Sequence, residues 1–326
     1  MTLTGVLDLT TEPTKRYSVT IIGDIRIEFR TRLAERPFRR LGPNYLEFAP
    51  IETVIAGTAI NFGRQATRYF RDIHIISRIG EDEFHNLINA ALEDAAATST
   101  LATTENQRNG VTLLIRDSEG CRVIVSGTPT PIAQLSAADV KAAQEHIATA
   151  HVLFTDGYLL LNPVSHRAVL QAAEIARAHS VLFCLDLVPH DMQRYMRLRD
   201  LRPAIDSTDI VMGSARTLAE LVDLPAPYPY PIDLLPELAR RLESIAGRTI
   251  WFLRLGDRDM EEVGACKDGA VYSHYYTGYA KYRAIAGFGD RVAALELYDL
   301  LSANIQKAEE VNLKEAQTFP RDSPIS

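Results

Sequence analysis

Residues 151–187, HVLFTDGYLLLNPVSHRAVLQAAEIARAHSVLFCLDL, decide the fold. His151–Thr155 and Val181–Leu187 read as short apolar strands, and Pro163–His179 between them reads as a helix. The alternation extends in both directions. A helix over Ser136–Thr149 precedes the first strand. Helix Met192–Leu198, strand Asp209–Met212 and helix Ala215–Val222 follow the second. A Pro/Tyr loop at 225–231 then leads to helix Leu234–Ala246 and strand Thr249–Leu255. Strands alternating with helices over this length imply an α/β fold with a parallel sheet covered on both faces.

Towards the N-terminus, Tyr17–Gly23 is a β-branched apolar strand ended by glycine, and Ile25–Phe29 continues extended. Residues 30–53 are rich in Arg, Pro and Tyr without helical period and read as short strands or a flap. A helix over Ile60–Phe70 begins just after Gly57-Thr58, followed by strand Ile73–Ile79 and helix Phe84–Ala97. Val111–Arg116 and Cys121–Ser126 pair as a hairpin around Asp117–Gly120. Towards the C-terminus, a second hairpin joins Glu262–Cys266 to Ala270–His274, and a long helix runs from Asp290 towards Lys314. Residues 1–16 and 315–326 read as flexible tails around one domain spanning 17–314. Trp251 is expected in the core, and His74, His151 and His274 as structural residues.

Bulk properties narrow the function. The chain has 326 residues, of which 46% are hydrophobic and 24% charged, which suits a globular protein with a sizeable core. Lys and Arg number 35 against 42 Asp and Glu, a net charge of −7 with no basic block, which argues against a nucleic-acid partner. No run approaches the roughly 18 apolar residues of a membrane span, so no membrane partner is expected. The start, MTLTGVLDLTTEPTKRY, is not patterned as a secretory signal. Cys121, Cys184 and Cys266 lie far apart, which fits a reducing cytoplasm better than a disulfide framework. No Cys/His spacing suggests zinc, and no metal ligands are assigned.

In an open parallel sheet, ligands bind beyond the carboxyl ends of the strands. Gly23-Asp24, Gly57–Asn61, Asp156-Gly157, Asp186, Leu255-Gly256-Asp257 and Gly287–Asp290 all fall there. The last is the most specific: Ala286-Gly287-Phe288-Gly289-Asp290 opens directly into a helical pattern. A helix start offers unpaired N–H groups and partial positive charge to an anion, and glycine permits close backbone approach. Asp290 is then either a helix cap or a base for an attacking hydroxyl. The Gly-x-Gly lacks the third glycine of a dinucleotide fingerprint. Asp24, Glu28 and Asn61 are candidate substrate contacts, each with a plain reading as a strand or helix-start residue. Arg26 either meets a phosphate or carboxylate or pairs with a neighbouring acid.

These segments, over about residues 17–312, resemble the ribokinase-like (PfkB) family of carbohydrate and nucleoside kinases. Gly23–Glu28 resembles the family's first strand end, where an acid binds substrate hydroxyls. Ala56–Asn61 resembles its glycine-glycine signature, whose final Asn helps hold the sugar. Gly80–Phe84 resembles the opening of the next helix. Ala286–Asp290 resembles the second signature, an anion hole ending in the catalytic Asp. The resemblance implies a three-layer α/β/α sandwich with a mostly parallel central sheet and a small β lid, here from about 26–55 and 108–127. It implies transfer of a phosphoryl group from ATP, with Mg2+, to a hydroxyl of a sugar, nucleoside or related small molecule. Asp290 would be the base, the backbone of Gly287, Phe288 and Gly289 the anion hole, and Asp24, Arg26, Glu28, Gly57 and Asn61 the substrate contacts. Arg254 and Gly256 would lie on the nucleotide side, and a homodimer would form through the lid.

The departures from the family pattern cluster on the nucleotide and metal side. Asp-Thr of the second signature reads Ala284-Ile285, and the small residue between its glycines is Phe288. Asn-x-x-Glu, which organises magnesium and phosphate, reads Ser214-Ala-Arg-Thr217, and Thr-x-Gly reads Arg254-Leu255-Gly256. They support a rival reading as a non-catalytic binding or regulatory protein on a kinase scaffold. A third reading keeps Asp290 as a base on a different substrate without nucleotide.

Overall fold

The computed structural model describes residues 6–8, 15–187, 194–227, 230–256, 261–267, 270–277 and 288–302. Its strands are β1 (Val6–Asp8), β2 (Ser18–Ile22), β3 (Arg26–Arg32), β4 (Ile51–Ala56), β5 (Asp72–Gly80), β6 (Thr98–Thr104), β7 (Gly110–Arg116) and β8 (Arg122–Ser126). They continue with β9 (Val152–Asp156), β10 (Leu182–Leu187), β11 (Ile210–Ser214), β12 (Ile250–Arg254), β13 (Glu261–Lys267) and β14 (Ala270–Thr277). The helices are α1 (Thr58–Ala66), α2 (His85–Asp94), α3 (Ala137–Ala142), α4 (Gln144–Ala148), α5 (Pro163–Ala178), α6 (Leu198–Ile205), α7 (Ala215–Leu221), α8 (Leu235–Ile245) and α9 (Phe288–Leu301).

Ten strands form one sheet in the order β1-β14-β13-β12-β11-β10-β9-β2-β5-β6. From β12 to β6 every neighbouring pair is parallel, and β13 and β14 add an antiparallel end. The parallel strands are near-continuous apolar runs because both faces are covered. On one face, α3 to α8 bury Leu153, Phe183, Leu185, Val211, Trp251 and Leu253. On the other, α1, α2 and α9 bury Ile21, Ile75, Phe154, Cys184, Met212 and Phe252, with Phe62 stacked on Phe154 at 3.8 Å between ring centres. The result is the three-layer α/β/α arrangement expected from the alternation.

Local chemistry places the elements. The Asn162 side chain accepts from Val164 N–H at 2.9 Å and Pro163 takes the first helical position, so α5 starts there. Its buried face of Ala168, Ala172, Ala173 and Ala176 lets the helix lie close on the sheet. Ser136 and Asp139 form a capping box at the start of α3.

A second, four-stranded sheet stands apart, in the order β4-β3-β7-β8, with β3 and β7 parallel and the outer pairs antiparallel. It contains the expected hairpin of β7 and β8 and gives the 30–53 stretch its form: strand, one 3-10 turn at Phe38–Arg40, then strand β4.

Several boundaries differ from the sequence reading. The helix over Ser136–Thr149 is two helices, because the backbone at Ala143 leaves helical values (φ −99°, ψ 12°) while Val140, Ala143 and Ile147 all stay buried. Residues 98–104 form strand β6, which has no apolar alternation to reveal it; Thr-rich and at the sheet edge, it forms from β-branched residues. Of the helix expected over 192–198, residues 192 and 193 lie outside the described set and 195–197 are not helical, the backbone at Arg197 being extended (φ −96°, ψ 157°). The helix that follows is α6, started where Asp200 accepts from Arg197 N–H at 3.2 Å. Within 1–16, Val6–Asp8 pairs in parallel with Tyr275–Thr277. The end of the C-terminal helix beyond 302, and the side chain of His274, lie outside the described residues.

Candidate active site

The site is built from the ends of parallel strands. Asp24 follows β2 and Gly23, is 4% exposed, and accepts from Arg26 Nε while its Oδ1 has no hydrogen-bond partner. Burial raises its pKa, and the Arg26 charge opposes that rise. Asp156 closes β9 and is fully buried, with Oδ1 accepting from Tyr158 N–H at 2.7 Å. Burial pushes its carboxyl up to about 7; the Thr58 hydroxyl and Tyr158 N–H hold it down, and the charges of Asp24 and Asp186 add to the rise. Asp186 lies beside Asp156 in register on β10. It is clasped by Arg254 of β12 through two bonds, Nη1 to Oδ2 at 3.0 Å and Nη2 to Oδ1 at 2.8 Å. This buried bidentate pair reaches across β11.

Asp290 sits in the first turn of α9, partly buried. Burial first, then the charge of Asp186, pushes its pKa up to about 7; Arg254 pulls it down and Asp156 adds to the rise. Asp290, Asp186, Arg254 and Asp156 therefore share one electrostatic neighbourhood. A carboxylate near neutrality at a helix start is suited to accept a proton from an acceptor hydroxyl. Phe288 and Gly289 open the same helix, and a Cβ at Gly289 would meet nothing within 4 Å among the described residues. Gly287 lies outside the described residues, as do Ala284, Ile285 and Ala286.

Gly57 is the conformational keystone of the opposite wall. Its φ is +96°, and a Cβ there would stand 2.2 Å from the carbonyl oxygen of Asp24. That approach lets Ala59 N–H donate to the same carbonyl at 3.2 Å, seating the start of α1 on Asp24. Asn61 lies partly exposed in this first turn. Glu28 is on the second sheet, ion-paired with Arg30, and Arg26 is bound by Asp24, Ser126 and Thr112. Gly256 follows β12 with φ +79°. Ser214 ends β11, and Thr217 is buried in the first turn of α7. At the place where the resemblance expects a magnesium-ordering Glu, Thr217 therefore offers no carboxylate, and the donor set there does not fit that metal. Among the described residues no group of three or more His, Cys, Asp or Glu is placed to hold a metal ion.

The structure thus gathers Asp24, Arg26, Gly57 and Asn61 at one wall and Asp290 and Arg254 at the other. Asp156 and Asp186 join the two, although the sequence shows them only as strand-end acids. Tyr158, Thr112, Ser126 and Arg122 had no sequence signal beyond their strand or loop placement. His74 is packed on His146 with rings 3.6 Å apart, and Trp251 is 2% exposed, both structural as expected.

A carboxylate-rich site at the carboxyl ends of a doubly covered parallel sheet, with a small second sheet beside it, defines the class of ribokinase-type folds. The chain belongs to the pfkB family of carbohydrate kinases, whose family model matches residues 18–245. The match includes Asp24, Arg26, Glu28, Gly57 and Asn61 and ends before Arg254 and Asp290. Solved structures share the fold at low identity. Adenosine kinase from Sinorhizobium meliloti superposes with a TM-score of 0.71 at 15% identity, covering 88% of each chain. Ribokinase from Giardia lamblia gives 0.70 at 15% identity over 89% of this chain and 84% of that one. Arabidopsis thaliana ribokinase, complexed with ribose and ATP, gives 0.68 at 16% identity over 88% and 86%. No curated protein matches the sequence. Among the described residues no helix is long and apolar enough to cross a membrane.

Proposed function

We propose that this chain transfers a phosphoryl group from ATP to a hydroxyl of a sugar, a nucleoside or a related small molecule. The observation that carries this reading is the placement of Asp290: a carboxylate in the first turn of α9, directly after Phe288 and Gly289, within the electrostatic reach of the strand-end group Asp156, Asp186 and Arg254. ATP supplies the phosphoryl group. Asp290 takes the proton of the acceptor hydroxyl as its oxygen bonds to phosphorus and the bond to the departing diphosphate breaks. The N–H groups at Gly287, Phe288 and Gly289 stabilise charge on the transferring group. Asp24, Glu28 and Asn61 orient the acceptor, and Gly57 holds that wall in place. Arg254 keeps Asp290 from rising further by its positive charge, while Gly256 lets the backbone turn on the donor side. Ser214 and Thr217 provide no acid for magnesium at this site. The second sheet is the lid over the acceptor.

Asp290→Asn keeps the shape and removes the base. Turnover measured by ADP release should fall about 10²–10⁴-fold while the acceptor KM changes little. Unchanged turnover would remove Asp290 from the mechanism.

The buried Thr217 in place of a glutamate favours one second reading, a non-catalytic ligand-binding protein on the same scaffold. Calorimetric titration with magnesium–ATP separates the two: heat of binding supports the kinase, and none at millimolar nucleotide supports the binding protein.

A further inference from the structure

A strand that leaves a sheet covered on both faces takes backbone carbonyls out of the ladder while they are still buried, and each then needs a donor from elsewhere. Strand β2 meets this condition at the site. It pairs with β5 on one side and β9 on the other as far as Ile22, which lies opposite Ile76 and Thr155. The chain then departs, and by Arg26 it has become β3 of the second sheet. Residues 22–25, Asp24 among them, stay buried throughout the departure.

Three consecutive carbonyls are met by three different elements. The Thr155 hydroxyl on β9 donates to the Ile22 carbonyl at 3.0 Å, and the Ser77 hydroxyl on β5 donates to the Gly23 carbonyl at 2.7 Å. The Asp24 carbonyl takes the Ala59 N–H of α1 at 3.2 Å. Ser77 and Thr155 are both 0% exposed, where a doubly covered sheet would accept an apolar side chain. A buried hydroxyl is favoured over an apolar group of its size only through the bond it makes, so these two bonds account for the residue types. Gly23 completes the fit: a Cβ there would stand 3.0 Å from the Ala59 nitrogen, and glycine lets the departing chain lie against α1.

The bonds act on Asp24 through the planarity of the peptide group. Holding the Gly23 carbonyl fixes the peptide plane before the Asp24 Cα, and holding the Asp24 carbonyl fixes the plane after it. Both backbone dihedrals of Asp24 are then set, and with them the direction of its carboxylate. Thr155 fixes the plane one residue earlier. It is followed at once by Asp156, so the same bond sets the Asp24 turn against that buried carboxylate. We propose that Ser77 and Thr155 are positioning residues of the acceptor site, holding the Asp24 carboxylate where the acceptor meets it. The contact between Asp24 and an acceptor rests on the kinase reading; the fixing of the Asp24 turn does not.

The test compares Ser77→Ala, Thr155→Val and Thr155→Ser with Thr20→Val. Thr20 lies earlier on β2, is 1% exposed and donates to the His146 carbonyl at 2.7 Å, so its variant loses a similar bond away from the strand end. Hydrogen exchange at the Ala59 amide, read by NMR without ligand, reports on the Asp24 turn. It should run about tenfold faster in Ser77→Ala and Thr155→Val than in Thr20→Val, and return to the wild-type rate in Thr155→Ser. Kinetics with ribose, fructose and adenosine, followed by ADP release, give the second readout. The acceptor KM should rise about tenfold in Ser77→Ala and Thr155→Val with kcat within about threefold, and stay unchanged in Thr20→Val and Thr155→Ser. A merely structural role would lower Tm in Ser77→Ala, Thr155→Val and Thr20→Val alike and leave KM where it is. Exchange at Ala59 no faster than in Thr20→Val, or an unchanged acceptor KM in an enzyme that turns over, would overturn the inference. A wild type that releases no ADP with any of the three acceptors counts against the kinase reading alone, and exchange at Ala59 then decides the inference by itself.

Discussion

Asp290 draws its chemistry from its neighbours. The carboxyl is held near 7 by burial and by the repulsion of Asp186 and Asp156, with Arg254 as the counterweight. As a base it acts only when ionised. The rate kcat/KM should therefore rise about tenfold per pH unit below about 7 and level off above it. A pH–rate profile checks this; a flat profile between pH 5 and 8 would mean that Asp290 takes no proton in the rate-determining complex. Asp290 stands out in the sequence because two glycines precede it and a helix follows. Asp156 and Asp186 were not singled out, because one Asp at the end of an apolar strand has many uses. Only the parallel register of β9 and β10 sets the two side by side. The resemblance puts Arg254 on the nucleotide side; the structure pairs it with Asp186 across β11.

Among the elements, α1 depends on one residue without a side chain. At φ +96° Gly57 occupies a backbone region that L side chains rarely adopt, and a Cβ would collide with the Asp24 carbonyl. Gly57→Ala should cost at least about 2 kcal/mol and weaken acceptor binding as the start of α1 shifts. Denaturant unfolding measures the first effect and calorimetry the second. The strong elements were legible because apolar periodicity fixed them: β5, α5, β10 and β12 sit where the sequence put them, within a residue or two at their ends. The weaker ones were set by tertiary context. Strand β6 exists because β5 offers it an edge, and the break at Ala143 because both halves must reach the same core. Periodicity carries neither fact.

At the scale of the molecule, the second sheet has two unlike faces. One bears Arg26, Arg30 and Arg32 of β3; the other sets Phe29 opposite Leu113 and Leu113 opposite Val125, with Leu113 and Val125 43% and 52% exposed. The family resemblance implies a homodimer through the lid, and we propose this apolar face as its seam. Leu113→Glu with Val125→Glu should turn a dimer into a monomer in sedimentation velocity, and a wild type that sediments as a monomer would sink the assignment. The roots of that sheet carry a mechanical consequence. β3 leaves two residues after Asp24, β4 arrives at Ala56 next to Gly57, and Asn109 at the foot of β7 is bound to Asp82 at 2.6 and 2.8 Å and to Gly80 at 2.9 Å. The first two roots pass through the pinch between Gly57 and Asp24. Strands β3 and β4 are thus anchored to the backbone that carries the Asp24 carboxylate, and a substitution that widens the pinch displaces sheet and acid together.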